Sequence, residues 1–470
     1  MVDSMVSNRK RLLGWRRRKR QNEPVVRHPM LQSNETLKTS DNERQVATSV
    51  SDASSQNGAT FIRRILIENY KNIAACDVSL TPLTFLVGPN GSGKSNFLDA
   101  LKFVADALQS VDRALQDRGG IVDVLSRTQE QPDHFGMRLE FILPHGSAGH
   151  YALRIGARPG GGFAVQEEEC VIESTQEGRL PARFSIRAGK VDTNIQTLQS
   201  VPIDLLRTGS LVLGDVYGLP GGFQLPSEFK SLRDALLGMS FYNINPESFR
   251  GLSNFQDASV LERNGRNVAA VLARLANQEG PALQHIEEYL SNVTPSVHGV
   301  RTRYMHTVAG TMASLEFLTR STGAAPFTAA AVSDGTLRTL GILVALFQLT
   351  NSGAPLPLVT IEEPEIYIHP GAAGVLLDAL RDASRREQVL VTTHSPDLLD
   401  DKDIDASSML AVQSDERGLS QIAPLTQAER SVMRKHLYTA GELLRSNQAQ
   451  PDPALLLSAR PDGRVALFDE

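Results

Sequence analysis

Residues 61–70 and 73–80 carry strand-like apolar patterns, and Leu83-Thr84-Phe85-Leu86-Val87 reads as a buried strand. After a glycine-rich break, Phe97, Leu98, Leu101, Val104, Ala105 and Leu108 recur at helical spacing and predict a helix with one apolar face. Alternating segments at 137–143, 151–155, 163–171 and 184–187, with turns such as Pro159-Gly160-Gly161-Gly162, predict an antiparallel sheet. The middle turns helical, with Val268, Val271, Leu272 and Leu275 and then Leu283, Ile286 and Leu290, before strand character returns at 301–305 and 311–318. A strongly apolar helix over 337–349 precedes a buried strand at 356–361, and a helix over 375–384 precedes another at 389–393. Such β-α-β order specifies a mainly parallel sheet covered on both faces. The expected class is α/β, with an antiparallel β subdomain and a helical lobe.

Composition adds exclusions. With 41% hydrophobic and 21% charged residues the chain is of ordinary globular type, and no apolar run is long enough to span a bilayer. A cytoplasmic setting without a membrane partner is therefore expected. Cys76 and Cys170 stand far apart, which suggests neither a disulfide framework nor a zinc site. The net charge of −5 hides an asymmetry: residues 1–20 hold eight Lys or Arg against one Asp, leaving −12 for the rest. Contact with a polyanion would thus need a local basic patch or this arm. The arm and the polar stretch that follows it to residue 60 have little apolar periodicity and are expected to be disordered. A start at Met30, with the arm outside the working protein, fits the same pattern.

Four motifs carry the chemistry. Gly88-Pro89-Asn90-Gly91-Ser92-Gly93-Lys94-Ser95 fits Gly-x-x-x-x-Gly-Lys-Ser between a predicted strand and a predicted helix. Glycines there let backbone N–H groups curl around phosphates, Lys94 would bridge the β- and γ-phosphates of ATP, and Ser95 would ligate Mg2+. Asn96, the next residue, is grouped with the loop as a binding residue. The apolar run 357–361 ends in Glu362-Glu363-Pro364-Glu365. At the C-terminal edge of a parallel sheet, Glu362 would hold Mg2+ and Glu363 would orient and deprotonate the attacking water. Ser333-Asp334-Gly335-Thr336 starts an apolar helix, so an N-cap is its local reading. Its sharper reading is a loop whose Ser333 and Gly335 N–H bind the γ-phosphate held by another subunit. His394, in Thr-His-Ser-Pro after the buried strand 389–393, could reach the same phosphate.

The order of these motifs, with the acidic one running on as Glu362 to Pro370 into Ile-Tyr-Ile-His-Pro, resembles the RecF- and SMC-like branch of ABC-type P-loop ATPases. Asn69-Tyr70-Lys71-Asn72 and Asn264-Gly265-Arg266-Asn267-Val268-Ala269-Ala270 are similar to segments of RecF-like bacterial ATPases. The resemblance implies ATP-driven pairing of two heads, with two nucleotides sandwiched at a homodimeric or larger assembly. It also implies work in DNA repair or anti-phage defence, with DNA or a separate effector as partner. It divides the chain into an arm at 1–60, a P-loop lobe with the antiparallel subdomain at 61–225, and a helical signature lobe at 226–340. A lobe with the acidic and His motifs follows at 341–425, then a C-terminal helical extension at 426–470.

Departures limit the carry-over. Glu362 stands where many ABC proteins have Asp, the signature lacks the Leu-Ser-Gly-Gly-Gln form, and a glutamine loop is expected but Gln129, Gln131, Gln196 and Gln256 are not ranked. The stretch after His394 is too short for a TOPRIM domain, so a nuclease of that type would be a separate partner. Two competing functions remain at this stage, an ATP-binding scaffold with little turnover and a transporter's nucleotide-binding subunit.

Overall fold

The computed structural model describes residues 61–469 apart from 129–130, 176–179, 188–189, 200–208, 216–225, 256–258, 279, 309, 320–324, 351 and 457–464. The basic arm and its expected disorder lie outside the described residues. Those residues fall within one compact unit.

The central six-stranded sheet has the order Ser420–Pro424, Met409–Ser414, Leu83–Val87, Gln388–Thr393, Leu358–Glu362, Ser240–Tyr242. Every neighbouring pair is parallel except the edge hairpin of Met409–Ser414 with Ser420–Pro424. Strand side chains alternate between faces. Leu86, Leu358, Leu390 and Leu410 join the core that holds the helix Lys94–Gln109. Phe85, Val87, Val359, Ile361, Val389 and Val391 join the opposite core, shared with the helices Asp334–Phe347 and Ala373–Ser384. Burial on both faces explains why these strands read as continuous apolar runs.

A seven-stranded antiparallel sheet runs in the order Ile73–Ser79, Ile62–Tyr70, His134–Ile142, Ala148–Ala157, Phe163–Ile172, Ala182–Arg187, Lys190–Thr193. It shares its core with the helix Lys94–Gln109, where Phe103 meets Phe135 edge-on at 5.2 Å between ring centroids. Gln388, at the start of a central strand, accepts from the Ile62 N–H at 2.8 Å and donates to the Ile62 carbonyl at 2.7 Å. One amide thus bridges the two sheets.

The lobe expected to be helical over 226–340 is mixed, and the strand character read at 301–305 and 311–318 falls on real strands. Helices Val268–Asn277 and Ala282–Val293 are present, but they pack on an antiparallel sheet of Ser253–Asn254, Gly310–Thr319 and Val297–Thr307, with Phe327–Thr328 pairing onto Gly310–Thr319. Ser240–Tyr242 belongs to the central sheet instead, as its edge. Among the described residues, the extension over 426–470 is likewise helical only at Gln427–Arg434 and Ala440–Arg445, each started by a capping box, Thr426 with Glu429 and Thr439 with Glu442. Its end is irregular: Leu467 is buried and Arg138 donates to the Leu467 carbonyl at 3.0 Å.

Candidate active site

Gly88–Ser95 joins the strand Leu83–Val87 to the helix Lys94–Gln109. Gly91 and Gly93 adopt φ of 78° and 106°, a left-handed backbone that glycine tolerates without a Cβ penalty. The loop also lies too close to the edge hairpin for side chains: a Cβ on Gly88 would sit 2.0 Å from the Val412 carbonyl oxygen, and one on Gly93 1.9 Å from Ser420 Oγ. Ser420 donates to the Ser92 carbonyl at 2.6 Å, and Asn96 donates to the Asn72 side chain at 2.7 Å. These contacts wall one side of the loop, while Pro89, Asn90 and Gly91 face solvent. Lys94 curls back, its Nζ donating to the carbonyls of Gly88 at 2.8 Å and Pro89 at 3.0 Å. Burial pushes its pKa below the usual lysine value, against the opposing pull of the Glu363 and Glu365 charges.

The strands Leu358–Glu362, Gln388–Thr393 and Leu83–Val87 are neighbours and parallel, so their C-terminal ends deliver side chains to the same edge. Ser95 Oγ donates to Glu362 Oε2 at 2.9 Å. Glu363, at φ 45°, turns the chain out of the strand while its N–H still donates to the Thr392 carbonyl at 2.9 Å. Its Oε1 lies 3.2 Å from His394 Nδ1. Glu365 Oε1 accepts from the Thr393 hydroxyl at 2.6 Å and the His394 N–H at 3.3 Å, fixing the turn that presents the imidazole. Lys94, Ser95, Glu362, Glu363 and His394 are therefore gathered at one edge, as the motif order predicts.

Ser333 and Gly335 are placed differently. Ser333 is the N-cap of the helix Asp334–Phe347, its Oγ accepting from the Thr336 N–H at 3.3 Å. A Cβ on Gly335 would lie 2.3 Å from the Tyr367 carbonyl oxygen, so this helix end packs on the turn that follows the acidic motif. Arg250 holds it there through Asp334 Oδ1 at 2.5 Å and the Ala329 carbonyl at 3.0 Å. Among the described residues, no hydrogen bond joins Ser333 or Gly335 to Gly88–Ser95. Both a plain N-cap and a loop that serves another subunit accord with that placement.

Several contributors escape a motif reading. Arg338, buried within the apolar helix, donates to the Ile244 carbonyl, to that of Glu362 at 3.1 Å and to that of Glu363 at 2.8 Å. Burial pushes its pKa down, opposed by the nearby Glu365, Tyr367, Glu363 and Glu362. A lone arginine inside Thr336-Leu337-Arg338-Thr339-Leu340 was the available signal. Arg263 pairs with Glu362 Oε1 at 2.9 Å and lines a cleft of about 960 Å³ with Ser95, Asn243, Asn245, Glu363 and Tyr367. No described glutamine lines that cleft; Gln129 and Gln256 lie outside the described residues, as does the Gln196 side chain.

The donor set fits a nucleotide triphosphate with Mg2+. A buried ammonium, a glycine loop with an exposed tip and a serine hydroxyl against a carboxylate meet at this edge. Residues 61–133 match the model described as "RecF/RecN/SMC N terminal domain", and residues 227–400 that described as "AAA domain, putative AbiEii toxin, Type IV TA system". Over those two segments the chain is similar to RecF- and SMC-like ATPases.

The first matched segment holds Gly88–Asn96, and the second holds Ser333, Glu362, Glu363 and His394. It is similar to a "DNA replication and repair protein RecF" of Vibrio vulnificus (strain YJ016), 49% identical over 41 residues, covering 8% of this chain and 11% of that protein. The protein of the same description from Gloeobacter violaceus is 39% identical over 72 residues, covering 15% and 18% respectively. The matches thus span less than a fifth of those relatives' length. Among solved structures, an SMC head bound to the C-winged helix domain of ScpA aligns with 78% of this chain and 99% of its own, at TM-score 0.47 and 14% identity.

Proposed function

We propose that this chain hydrolyses ATP with Mg2+ at the Gly88–Ser95 loop and is switched by ATP between a single and a paired state. The observation that carries the reading is the meeting of Lys94, Ser95, Glu362, Glu363 and His394 at the ends of neighbouring parallel strands. In it, Lys94 exchanges its two carbonyl acceptors for phosphate oxygens, and the backbone N–H groups of Gly91 to Ser95 cradle the chain of phosphates. Ser95 and Glu362 hold Mg2+, which when bound neutralises charge on the phosphates. Glu363 Oε1 takes the proton of the attacking water, and His394 orients that carboxylate from 3.2 Å. Ser333 and Gly335 serve the γ-phosphate on a second copy, which accords with their lack of contact with the chain's own loop.

The names of the partial relatives support a task in DNA repair, and defence belongs to the same proposal, with DNA or a separate TOPRIM-type nuclease or other effector as partner. No helix among the described residues is long and apolar enough to cross a membrane; a cytoplasmic setting is part of the proposal. The test is phosphate release together with size-exclusion chromatography. Wild type should turn over ATP, and Glu363→Gln should bind ATP, lose turnover and accumulate as a dimer. Equal phosphate release from the two proteins sinks the assigned chemistry, and a monomeric Glu363→Gln at saturating ATP sinks the pairing.

A further inference from the structure

The segment Asn264-Gly265-Arg266-Asn267 is built with more care than a surface loop requires. The Arg263 carbonyl accepts from the Asn243 N–H at 2.9 Å, and the Asn264 carbonyl accepts from the Asn245 N–H at 3.1 Å and the Ser248 hydroxyl at 2.8 Å. Asn267 Oδ1 accepts from the Glu262 N–H at 2.8 Å, and Gly265, at φ 81°, lies where a Cβ would be 2.3 Å from the Phe249 ring. All of this fixes the backbone at residue 263. The Arg263 side chain is by contrast 56% exposed, and its ion pair is with Glu362, whose side chain is only 16% exposed. A well-anchored backbone thus presents a half-exposed guanidinium in the lining of the cleft beside Ser95 and Glu363.

Both oxygens of Glu362 are engaged, Oε2 by the Ser95 hydroxyl and Oε1 by Arg263. Those are the two side chains assigned to Mg2+ above, and a cation held there competes with Arg263 for the same carboxylate. We infer that Arg263 is an ion latch: it neutralises Glu362 until a divalent cation arrives, and the displaced guanidinium then binds the terminal phosphate of the nucleoside triphosphate. Charge favours the exchange, because the cation takes over the carboxylate while the phosphate offers the planar, bidentate partner that arginine prefers. The inference rests on the ATP reading and assigns a residue that the four motifs do not contain.

The test is equilibrium binding, which needs no turnover. A non-hydrolysable ATP analogue and ADP are titrated by calorimetry into wild type, Arg263→Ala, Arg263→Lys and the control Arg266→Ala, across a Mg2+ series that starts in EDTA. Arg266 pairs with Glu262 instead and leaves Glu362 untouched. Arg263→Ala should lower the half-saturating Mg2+ concentration by roughly two- to fivefold, the scale of a partly exposed ion pair. The same variant should lose roughly the same factor of triphosphate over diphosphate preference in saturating Mg2+. Arg263→Lys should restore part of both, and Arg266→Ala should match wild type. An unchanged Mg2+ requirement overturns the latch, as does an unchanged triphosphate preference or an equal weakening for both nucleotides. Wild type that stays folded and binds neither nucleotide overturns the underlying ATP reading, a failure distinct from the others.

Discussion

Carboxylates in two regions of this molecule are treated in opposite ways. In the antiparallel sheet, Glu68, Glu168 and Glu169 are 0%, 1% and 5% exposed, and every one of their oxygens has a partner. Glu68 takes Arg154 and the Val465 N–H; Glu168 takes Tyr151 and the Val212 and Leu213 N–H groups; Glu169 takes His150, Arg187 and the Asp469 N–H. At the C-terminal edge of the central sheet, Glu365 Oε2, Arg338 Nε and Ser92 Oγ are buried without partners, and Glu363 holds a left-handed backbone. Burial of charge therefore does not mark the site. What sets the site apart is open polar atoms gathered beside a left-handed acidic turn; single open atoms such as Glu387 Oε1 and Arg430 Nε occur elsewhere, and each costs stability unless something else repays it.

The sharpest way to break this contrast is at its open end. Glu363→Gln should lower ATP turnover by about 10²- to 10⁴-fold, the usual scale of a positioned general base, while stability stays within about 0.5 kcal/mol. Urea unfolding alongside a phosphate-release assay checks both. A large loss of stability would show that the open cluster is structural after all. Arg338→Ala should do both kinds of damage, because its guanidinium ties the Ile244, Glu362 and Glu363 carbonyls. Turnover should fall about 10- to 100-fold, by analogy with groups that orient a ligand from behind. Stability should fall by about 3 kcal/mol as those carbonyls lose a charged donor. Arg338→Lys should recover part of the stability and little of the turnover, since one ammonium cannot span the planar fork.

The sequence exposes these two regions unequally. The strand–loop–helix around Gly88–Ser95 is legible because its requirements are local: an apolar run, glycines, Lys94 and then a one-faced helix. Glu362, Glu363 and His394 are legible as strand ends, since buried parallel strands leave long apolar signals such as 389–393. Arg263 and Arg338 are not, because their partners lie 99 and 25 residues away and become neighbours only when the sheet orders its strands. The hairpin Met409–Ser414 and Ser420–Pro424, which walls the loop through Ser420, is short and carries no chemical motif. The sheet inside 226–340 is only partly legible: its two long strands show at 301–305 and 311–318, but the exposed Arg301, Arg303 and His306 shorten the first, and the two-residue strands Ser253–Asn254 and Phe327–Thr328 are too short to carry a pattern.

At the closed end, pH separates the two regions. Burial drives the Glu168 carboxyl up to about 7, although the Leu213 and Val212 N–H groups and Tyr151 oppose it. A carboxyl raised in the folded state favours the protonated form there. Its contribution to stability is therefore present below its ordinary value and is lost as pH rises through 7, by on the order of 3 kcal/mol. Glu68 and Glu169 run the other way: burial would raise them, but their His and Arg partners and backbone N–H donors hold them below the usual range. Their contribution is lost as pH falls. Comparing wild type with Glu168→Gln by urea unfolding from pH 4.5 to 7.5 isolates the first effect. The variant should gain on wild type by on the order of 3 kcal/mol across that span. A constant difference would mean that Glu168 keeps one charge state throughout.

The smallest effect belongs to the strand that joins both regions. Gln388 begins that strand and Thr393 ends it beside His394, roughly 17 Å apart at the usual strand rise. The Gln388 amide satisfies the Ile62 N–H, the Ile62 carbonyl and the Thr81 carbonyl, so it closes its hydrogen bonds as fully as the carboxylates of the antiparallel sheet. Gln388→Ala leaves those buried backbone groups open and should cost about 2 kcal/mol of stability. Turnover in the folded variant should stay near wild type, because Glu365 and Thr393 hold His394 from the other end of the strand. Measuring both quantities on one preparation puts the division itself at stake: if turnover falls with stability, the strand transmits strain along its length, and closed and open regions are one mechanical unit.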